Sequence, residues 1–384
     1  MQDLITAEQR FIHLFGDGKI ESFFSPGRVN LIGEHIDYNG GSVLPIAISL
    51  GISALVRRRA DAMVNVHAET FSETSSFSLD TDFVFQKNAT LHWSDYIKAT
   101  LQVLKDNKVK MSGADILISS TLPVGSGLSS SASLECLIAF IFNENYYSKN
   151  RVALAKDAQL AERKYVEVNC GIMDQYIIAN GKADNAILLH CDSLKQTFIP
   201  ADFGDYQLVI LNSNVPRSLA TSKYNERRAE CETAFSIFKN IDIAENLCDV
   251  HEVSLAFLED DILYQRAKHV ILENKRVLYA AELLKSGDIE AFGQQLTESH
   301  ISLDTDYEVS CFELNMLVHY STHFEGCIGA RMTGAGFGGC CIALVKKDRI
   351  KKFISYVGKK YKEKTQLEAS FYLVDIVDSV RRIK

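Results

Sequence analysis

At 384 residues with 47% hydrophobic content, the chain can bury a large core and exceeds the usual size of one domain, so two lobes are expected. A formal net charge of -8 gives no long-range attraction for a polyanion, which argues against nucleic acid as a partner. The nine cysteines lie scattered without C-x-x-C spacing and fit reduced thiols in the cytoplasm, the N-terminal stretch is too finely mixed for a signal peptide, and no apolar run reaches the ~18 residues of a membrane span.

In chain order, Leu4, Ala7, Phe11 and Phe15 stand at helical spacing and predict an opening helix over residues 4 to 15. Phe23 to Asn30, Gly51 to Arg57 and Met63 to Ala68 read as short strands, with the run Arg57-Arg58-Arg59 a solvated strand end. Ala114 to Ser120 reads as a strand and Ser129 to Asn143 as a helix with Leu134, Leu137, Ile138 and Ile141 on a wide apolar face, the two joined by a tight glycine loop. An amphipathic helix follows over Arg151 to Val166, and the alternation of Tyr206 to Leu211 predicts a strand that opens the second lobe. Long helical patterns run around Tyr224 to Lys239, Tyr264 to Ser286 and Ile289 to Ser299, before closing strands at Cys340 to Lys346 and Phe371 to Val377. With five prolines and no low-complexity stretch or repeat, the lobes, placed at 1–203 and 204–384, are expected to be intimately joined.

In TLPVGSGLSSSASLE, Gly125 and Gly127 precede three serines that lead directly into a helix. The first N–H groups of a helix lack internal partners and its dipole favours negative charge, so this arrangement suits a phosphate. A serine hydroxyl could also reach a Mg²⁺ ion bridging phosphates, although no G-x-x-x-x-G-K-[ST] string occurs. The same residues fit a serine-capped helix after a flexible turn. In RMTGAGFGGCCIALV, Gly334, Gly336, Gly338 and Gly339 fall within six residues ahead of a buried strand. Close approach to a ligand or to the first loop accounts for so much glycine, and so does a bulged hairpin turn.

GRVNLIGEHIDYNGG gathers Arg28, Glu34, His35 and Asp37 beside Gly33, Gly40 and Gly41. Carboxylates and an imidazole at turn glycines can pair with the hydroxyls of a neutral sugar, and an arginine beside them can stabilise a transferring phosphoryl group. A surface turn with incidental ion pairs is the plainer alternative.

These three motifs, in this order, resemble those of the GHMP kinases, and within that family the members that act on galactose. The first motif has about ten specified positions in one run, which makes chance agreement negligible. AERKYVEVNCGIMDQY and NSNVPRSLATSKY extend the resemblance across nearly the whole chain. It implies an α+β, two-lobed fold: an N-terminal mixed α/β lobe with a ribosomal-protein-S5-like element and a ferredoxin-like C-terminal lobe. It also implies transfer of the γ-phosphoryl group of ATP to the anomeric hydroxyl of galactose by a cytoplasmic monomer that needs Mg²⁺. By the same resemblance, Glu34, His35 and Asp37 hold the sugar, with Gly171 and Tyr224 closing around it, and Asp174 faces the accepting hydroxyl beside Arg28. Val124, Gly125, Ser126, Gly127, Leu128, Ser129 and Ser130 cradle the nucleotide phosphates, and Ser130 and Glu162 ligate the Mg²⁺. Taken by itself, Glu162 reads as an ordinary exposed helix residue. Trp93 aligns with a family aromatic near the nucleotide base and fits a core anchor equally well.

Two departures flank the catalytic segment: Glu167 stands where a small residue is expected and Asn169 where proline is expected. Asp174 would either accept the hydroxyl proton as general base or orient the hydroxyl and balance Arg28 while the proton leaves late. A kinase for a modified sugar such as N-acetylgalactosamine would carry the same motifs, whereas a galactose- and ATP-dependent regulator on the same fold is expected to carry a damaged serine loop. The unbroken LSSSAS of Leu128 to Ser133 favours an enzyme. His319 and His323, four apart on a helix, suggest a metal pair only if a third ligand exists, and none is evident nearby.

Overall fold

The structure, a computed structural model, describes residues 2–85, 91–215, 220–239, 241 and 244–384. Its largest sheet has six strands in the spatial order Arg381–Arg382, Glu21–Asn30, Pro45–Arg58, Ala114–Ser120, Met63–Ala68 and Glu73–Ser78. All neighbours are antiparallel except Met63–Ala68 and Ala114–Ser120, which run parallel. Pro45–Arg58 is longer than expected because the apolar run before Gly51 continues the same strand. Gly51 itself is required by contact, since a Cβ there would lie 2.3 Å from the Ser25 carbonyl oxygen, beside the register shift at Pro26 and Gly27.

The helix Ser130–Phe142 lies against this sheet with every residue from Ala132 to Phe142 buried. The sequence expectation of a one-sided face falls short because Trp93–Asp106, Arg151–Lys164 and Met173–Asn180 cover its other sides. This central position fixes the glycine loop at its N-terminus. A small sheet of Ser42–Val43, Asn185–His190 and Lys195–Pro200 lies between the large sheet and the second half of the chain.

That second half forms an antiparallel sheet in the order Cys327–Thr333, Cys340–Lys346, Tyr206–Asn212, Ser370–Leu373. Helices follow the first strand and separate the last two, which gives the ferredoxin-like β-α-β-β-α-β plan. Asp261–Ser286 begins three residues before the expected start because the Asp260 side chain caps it, accepting from Leu263 N–H at 2.9 Å. The expected strand Phe371 to Val377 is shorter, Ser370–Leu373. Beyond it the chain leaves this sheet: Asp375 exchanges hydrogen bonds with Ser49, Ile376 bridges Ile48, and Arg381–Arg382 pairs with Phe23 and Phe24. Both halves therefore share one continuous apolar core. Among the described residues no helix is long and apolar enough to cross a membrane.

The third glycine motif is aimed by close packing of Cys327–Thr333 on the helix Ile289–Thr305. A Cβ at Gly329 would lie 1.8 Å from the Gly293 carbonyl oxygen of that helix. Gly329→Ala is therefore expected to push strand and helix apart and cost about 1 to 3 kcal/mol, read as a lower urea midpoint at unchanged m-value.

Candidate active site

Arg28, on the first long strand, projects into a cavity of about 500 Å³ between the two halves. Its Nε and Nη2 donate to Asp174 Oδ1 and Oδ2 at 2.8 and 2.9 Å, a bidentate pair across 146 residues. Nη1 donates to the Gly127 carbonyl at 2.7 Å, so one guanidinium joins the strand, the glycine loop and the helix Met173–Asn180. Burial works against the Arg28 charge, but Asp174, Glu34 and Asp37 outweigh it and raise the guanidinium pKa.

In the glycine loop, Gly125 and Gly127 have φ of +70° and +75°, a conformation that favours glycine. Ser129 is also left-handed, at +62°, and its hydroxyl donates to Asp174 and leaves the helix that follows without a side-chain cap. The serine-capped-helix reading is thus set aside, and the first N–H groups of Ser130–Phe142 receive no help from Ser129. The Ser126 hydroxyl is turned back onto the Pro123 carbonyl at 2.7 Å, whereas Ser130 is exposed at the cavity wall.

Glu162 is 7% exposed, contrary to the plain reading of an exposed helix residue. Its Oε1 accepts from the Ser131 hydroxyl at 3.1 Å and its Oε2 from Gln175 Nε2 at 2.6 Å. Burial, followed by the charge of Asp174, pushes the Glu162 carboxyl up to about 7. Behind it lies Glu135, fully buried, also reached by Gln175 Nε2 at 3.3 Å and raised by burial and by Glu162. Glu135 Oε1 and Gln175 Oε1 have no hydrogen-bond partner among the described residues.

On the opposite wall stand Glu34, His35, Asp37, Gly171 and Tyr224. Glu34 Oε1 accepts from Thr333 Oγ1 at 2.9 Å and Gly334 N–H at 2.8 Å, which draws the third motif onto the first. His35 has φ of +63° and both nitrogens engaged: Nε2 donates to the Ala335 carbonyl at 3.1 Å and Nδ1 accepts from Tyr38 at 2.9 Å. Burial lowers the imidazole pKa to about 3, so the ring is neutral. Tyr38 in turn accepts from Tyr307 at 2.8 Å, and Tyr307 from the Cys231 thiol at 3.1 Å, one directed chain of hydrogen bonds. Gly171 abuts Asp37 so closely that a Cβ would fall 1.6 Å from Asp37 Oδ2. The Tyr224 ring packs 5.6 Å from His35 and 5.2 Å from Tyr38.

A second cavity of about 300 Å³ opens beyond the loop, and Val124, Ser130 and Ser131 line it together with Phe71 and Trp93. The Phe71 and Trp93 rings lie stacked at 6.4 Å, and Trp93 Nε1 donates to Glu73 at 3.1 Å, so the lone tryptophan is a cavity wall as well as a packing element. Glu167 adopts φ of +61°, a conformation uncommon for a non-glycine residue, and the Asn169 carbonyl accepts from Arg228 at 3.1 Å. His323 Nδ1 donates to the His319 carbonyl at 2.7 Å. Among the described residues no group of three or more His, Cys, Asp or Glu is arranged to hold a metal.

Of the residues the motifs named, one cavity brings together Arg28, Asp174, Glu162, the sugar-side cluster and Gly125, Gly127, Ser129 and Ser130 of the glycine loop, whereas Val124 lines the second cavity and Ser126 and Leu128 are buried away from both. The motif readings did not name Gln175, Glu135, Ser131, Tyr38, Tyr307 or Thr333. Gln175 and Tyr38 stand inside quoted motifs, next to Asp174 and Asp37, where their density was the available signal. Nothing local marked Tyr307.

Residues 9–58 match the galactokinase galactose-binding signature, residues 95–182 the GHMP kinase N-terminal domain and residues 280–363 the GHMP kinase C-terminal domain. Fold and site together make this chain a GHMP kinase. A mevalonate kinase of Methanococcus jannaschii shares the fold, with a TM-score of 0.63 at 20% identity over 95% of this chain and 100% of that one. Far greater likeness holds with galactokinases: that of Clostridium beijerinckii is 44% identical over 100% of both chains, and that of Fusobacterium nucleatum 42% identical over 96% of each. The crystal structure of Lactococcus lactis galactokinase complexed with galactose agrees with a TM-score of 0.93 at 39% identity, over 98% of this chain and 99% of that one. The chain belongs to the galactokinase family.

Asp37 generates a prediction in the free protein. Burial, then the charge of Asp174, pushes its carboxyl from 3.8 up to about 7. Between those values the folded state keeps a proton that the unfolded state has released, so this residue's contribution to stability falls as pH rises from about 4 through about 7. Asp37→Asn should therefore raise Tm at pH 8, with the gain shrinking toward pH 4. Thermal melts of the ligand-free protein across that range check the sign.

Proposed function

We infer that this chain transfers the γ-phosphoryl group of ATP to the anomeric hydroxyl of galactose, giving galactose 1-phosphate and ADP. The observation that carries the reading is the bidentate Arg28–Asp174 pair, set between the uncapped helix N-terminus of the glycine loop and the turn bearing Glu34 and Asp37. Phosphoryl transfer asks a protein chiefly for positioning and charge stabilisation, and this arrangement supports both.

In this reading Val124 to Ser130 cradle the nucleotide phosphates through loop and helix N–H groups, and the base enters the cavity walled by Phe71 and Trp93. Glu34, His35, Asp37, Gly171 and Tyr224 form the sugar side. Asp174 Oδ2 is already occupied by Arg28 Nη2 and the Ser129 hydroxyl, whereas Oδ1 has only Arg28 Nε. Oδ1 is therefore the atom that takes the anomeric hydroxyl's hydrogen bond, orients its oxygen toward the γ-phosphorus and receives the proton late in the transfer. Arg28 spans Asp174 and the loop, where it balances charge on the moving group.

Mg²⁺ fits the phosphate side. The donors there are the Ser130 hydroxyl and the Glu162 carboxylate, hard oxygens that both line the cavity. Ser130 and Glu162 would hold the ion, which when bound supplies neutralising charge to the phosphate oxygens. The same reading takes the protein as a cytoplasmic monomer with lobes at 1–203 and 204–384, the second returning residues 376–382 to the first sheet.

Asp174→Asn should lower turnover by about 100-fold or more while galactose binding stays within about threefold, because the amide keeps the shape but cannot take a proton. Steady-state rates and calorimetric titration with galactose separate the two, and turnover above about a tenth of wild type would refute both roles given to Asp174.

A coupled ATP-consumption assay over a panel of sugars tests the substrate. Galactose should exceed glucose in kcat/KM by more than about tenfold, since one inverted hydroxyl leaves paired groups unsatisfied at about 1 to 3 kcal/mol each. A ratio within about tenfold would reduce the reading to a sugar kinase of unassigned substrate.

A further inference from the structure

The turn that carries Glu34, His35 and Asp37 is braced from the other half of the chain. Three residues spaced by four on the helix Asp261–Ser286 meet it along one face. His269 Nε2 lies 3.2 Å from the Glu34 carbonyl oxygen, Glu273 Oε1 accepts from Gly33 N–H at 3.0 Å, and Val277 sits 2.8 Å from where a Gly33 Cβ would be. All three are fully buried. Gly33 has φ of +103°, so neither another backbone shape nor a side chain is available at this contact. Glu273 also accepts from Ser299 Oγ at 2.6 Å and Arg276 Nε at 2.7 Å. Burial favours its neutral form, but Arg276, His269 and Arg331 outweigh that and hold its pKa down to about 2.

The Glu34 side chain is held from the same half. Arg331, wholly buried, donates through Nη1 to the Leu31 carbonyl at 2.9 Å, and its Nη2 lies 3.5 Å from Glu34 Oε1. Its Nε and Nη2 make no hydrogen bond among the described residues. Thr333 Oγ1 faces Glu34 Oε1 at 2.9 Å and the Asn30 carbonyl at 3.1 Å, and Gly334 N–H donates to the same Oε1. Oε1 is thus fully committed to the protein. Oε2 has one partner, Asn30 Nδ2 at 3.1 Å, and belongs to a residue lining the cavity. Buried charges with idle hydrogen-bonding capacity are poor stabilisers, so their value here lies in placement.

We propose that Glu273, Arg331 and Thr333 are positioning residues for sugar recognition: they fix the backbone at Gly33 and lock Glu34 Oε1 so that Oε2 faces one hydroxyl of the sugar. The proposal deepens the functional reading above and rests on its assignment of Glu34 to the sugar. It places determinants of sugar affinity on side chains that do not themselves line the cavity.

The test is steady-state kinetics of Thr333→Val, Arg331→Lys, Glu273→Gln and Glu34→Gln with galactose and with each monodeoxygalactose, at saturating Mg·ATP. Thr333→Val is nearly isosteric and keeps the test open if a variant at a buried charge fails to fold. The expected result is a galactose KM raised about tenfold by Thr333→Val and more by Arg331→Lys, with the ATP KM within about threefold. On the one deoxy sugar that Glu34→Gln no longer penalises, Thr333→Val should cost nothing further, a pattern that mere loosening of the fold would not give. Equal losses on galactose and on every deoxy sugar, or parallel rises in both KM values, would overturn the proposal. If Glu34→Gln itself leaves the galactose KM unchanged, the assignment of Glu34 to the sugar fails and the proposal falls with it.

Discussion

The ion pair of Arg28 with Asp174 is the constraint around which the rest is arranged. Arg28 has a side chain only 6% exposed, and a guanidinium so enclosed needs an anion and carbonyl acceptors if it is to stay charged. Asp174 and the Gly127 carbonyl supply them, from a helix and a loop that meet only when the large sheet has its helical layer in place. One side chain therefore ties the first long strand, the glycine loop and the helix Met173–Asn180 together. The carboxylates gathered nearby, Glu34 and Asp37 among them, also contribute to keeping that cation charged.

Around this pair, features that would ordinarily stabilise a protein are given up. A capping side chain at a helix start is worth about 1 kcal/mol, yet Ser129 turns its hydroxyl to Asp174 and leaves Ser130–Phe142 uncapped. Asp37 and Glu162 sit where burial and Asp174 disfavour their ionised forms.

Much of this was legible in the chain because the chemistry is concentrated in short runs. Arg28, Glu34, His35 and Asp37 stand in ten consecutive residues, and glycines mark both loops. The strands of the two sheets could be placed where apolar alternation was clean, as at Met63–Ala68 and Tyr206–Asn212. Partnership was not legible. Glu162 has the sequence neighbourhood of an exposed helix, and only the packing of Arg151–Lys164 on Ser130–Phe142 buries it beside Glu135. Tyr307 reaches the site with no local pattern to announce it, and Thr333, inside the third motif, was masked by the glycines that follow it. The last apolar stretch misled because Phe371 to Val377 serves two sheets in succession, and periodicity sees one strand where there are a strand and a crossing.

That crossing bears on how the molecule can move. The chain passes between its halves near residue 203 and again near 375, where Ile376 bridges Ile48, Val377 N–H donates to the Ala47 carbonyl at 3.0 Å, and Val380 N–H donates to the Ile178 carbonyl at 2.9 Å. Two tethers define an axis, whereas one would act as a free joint. A twist of one half against the other would have to break backbone hydrogen bonds to the sheet that holds Arg28 and also part the apolar core the halves share.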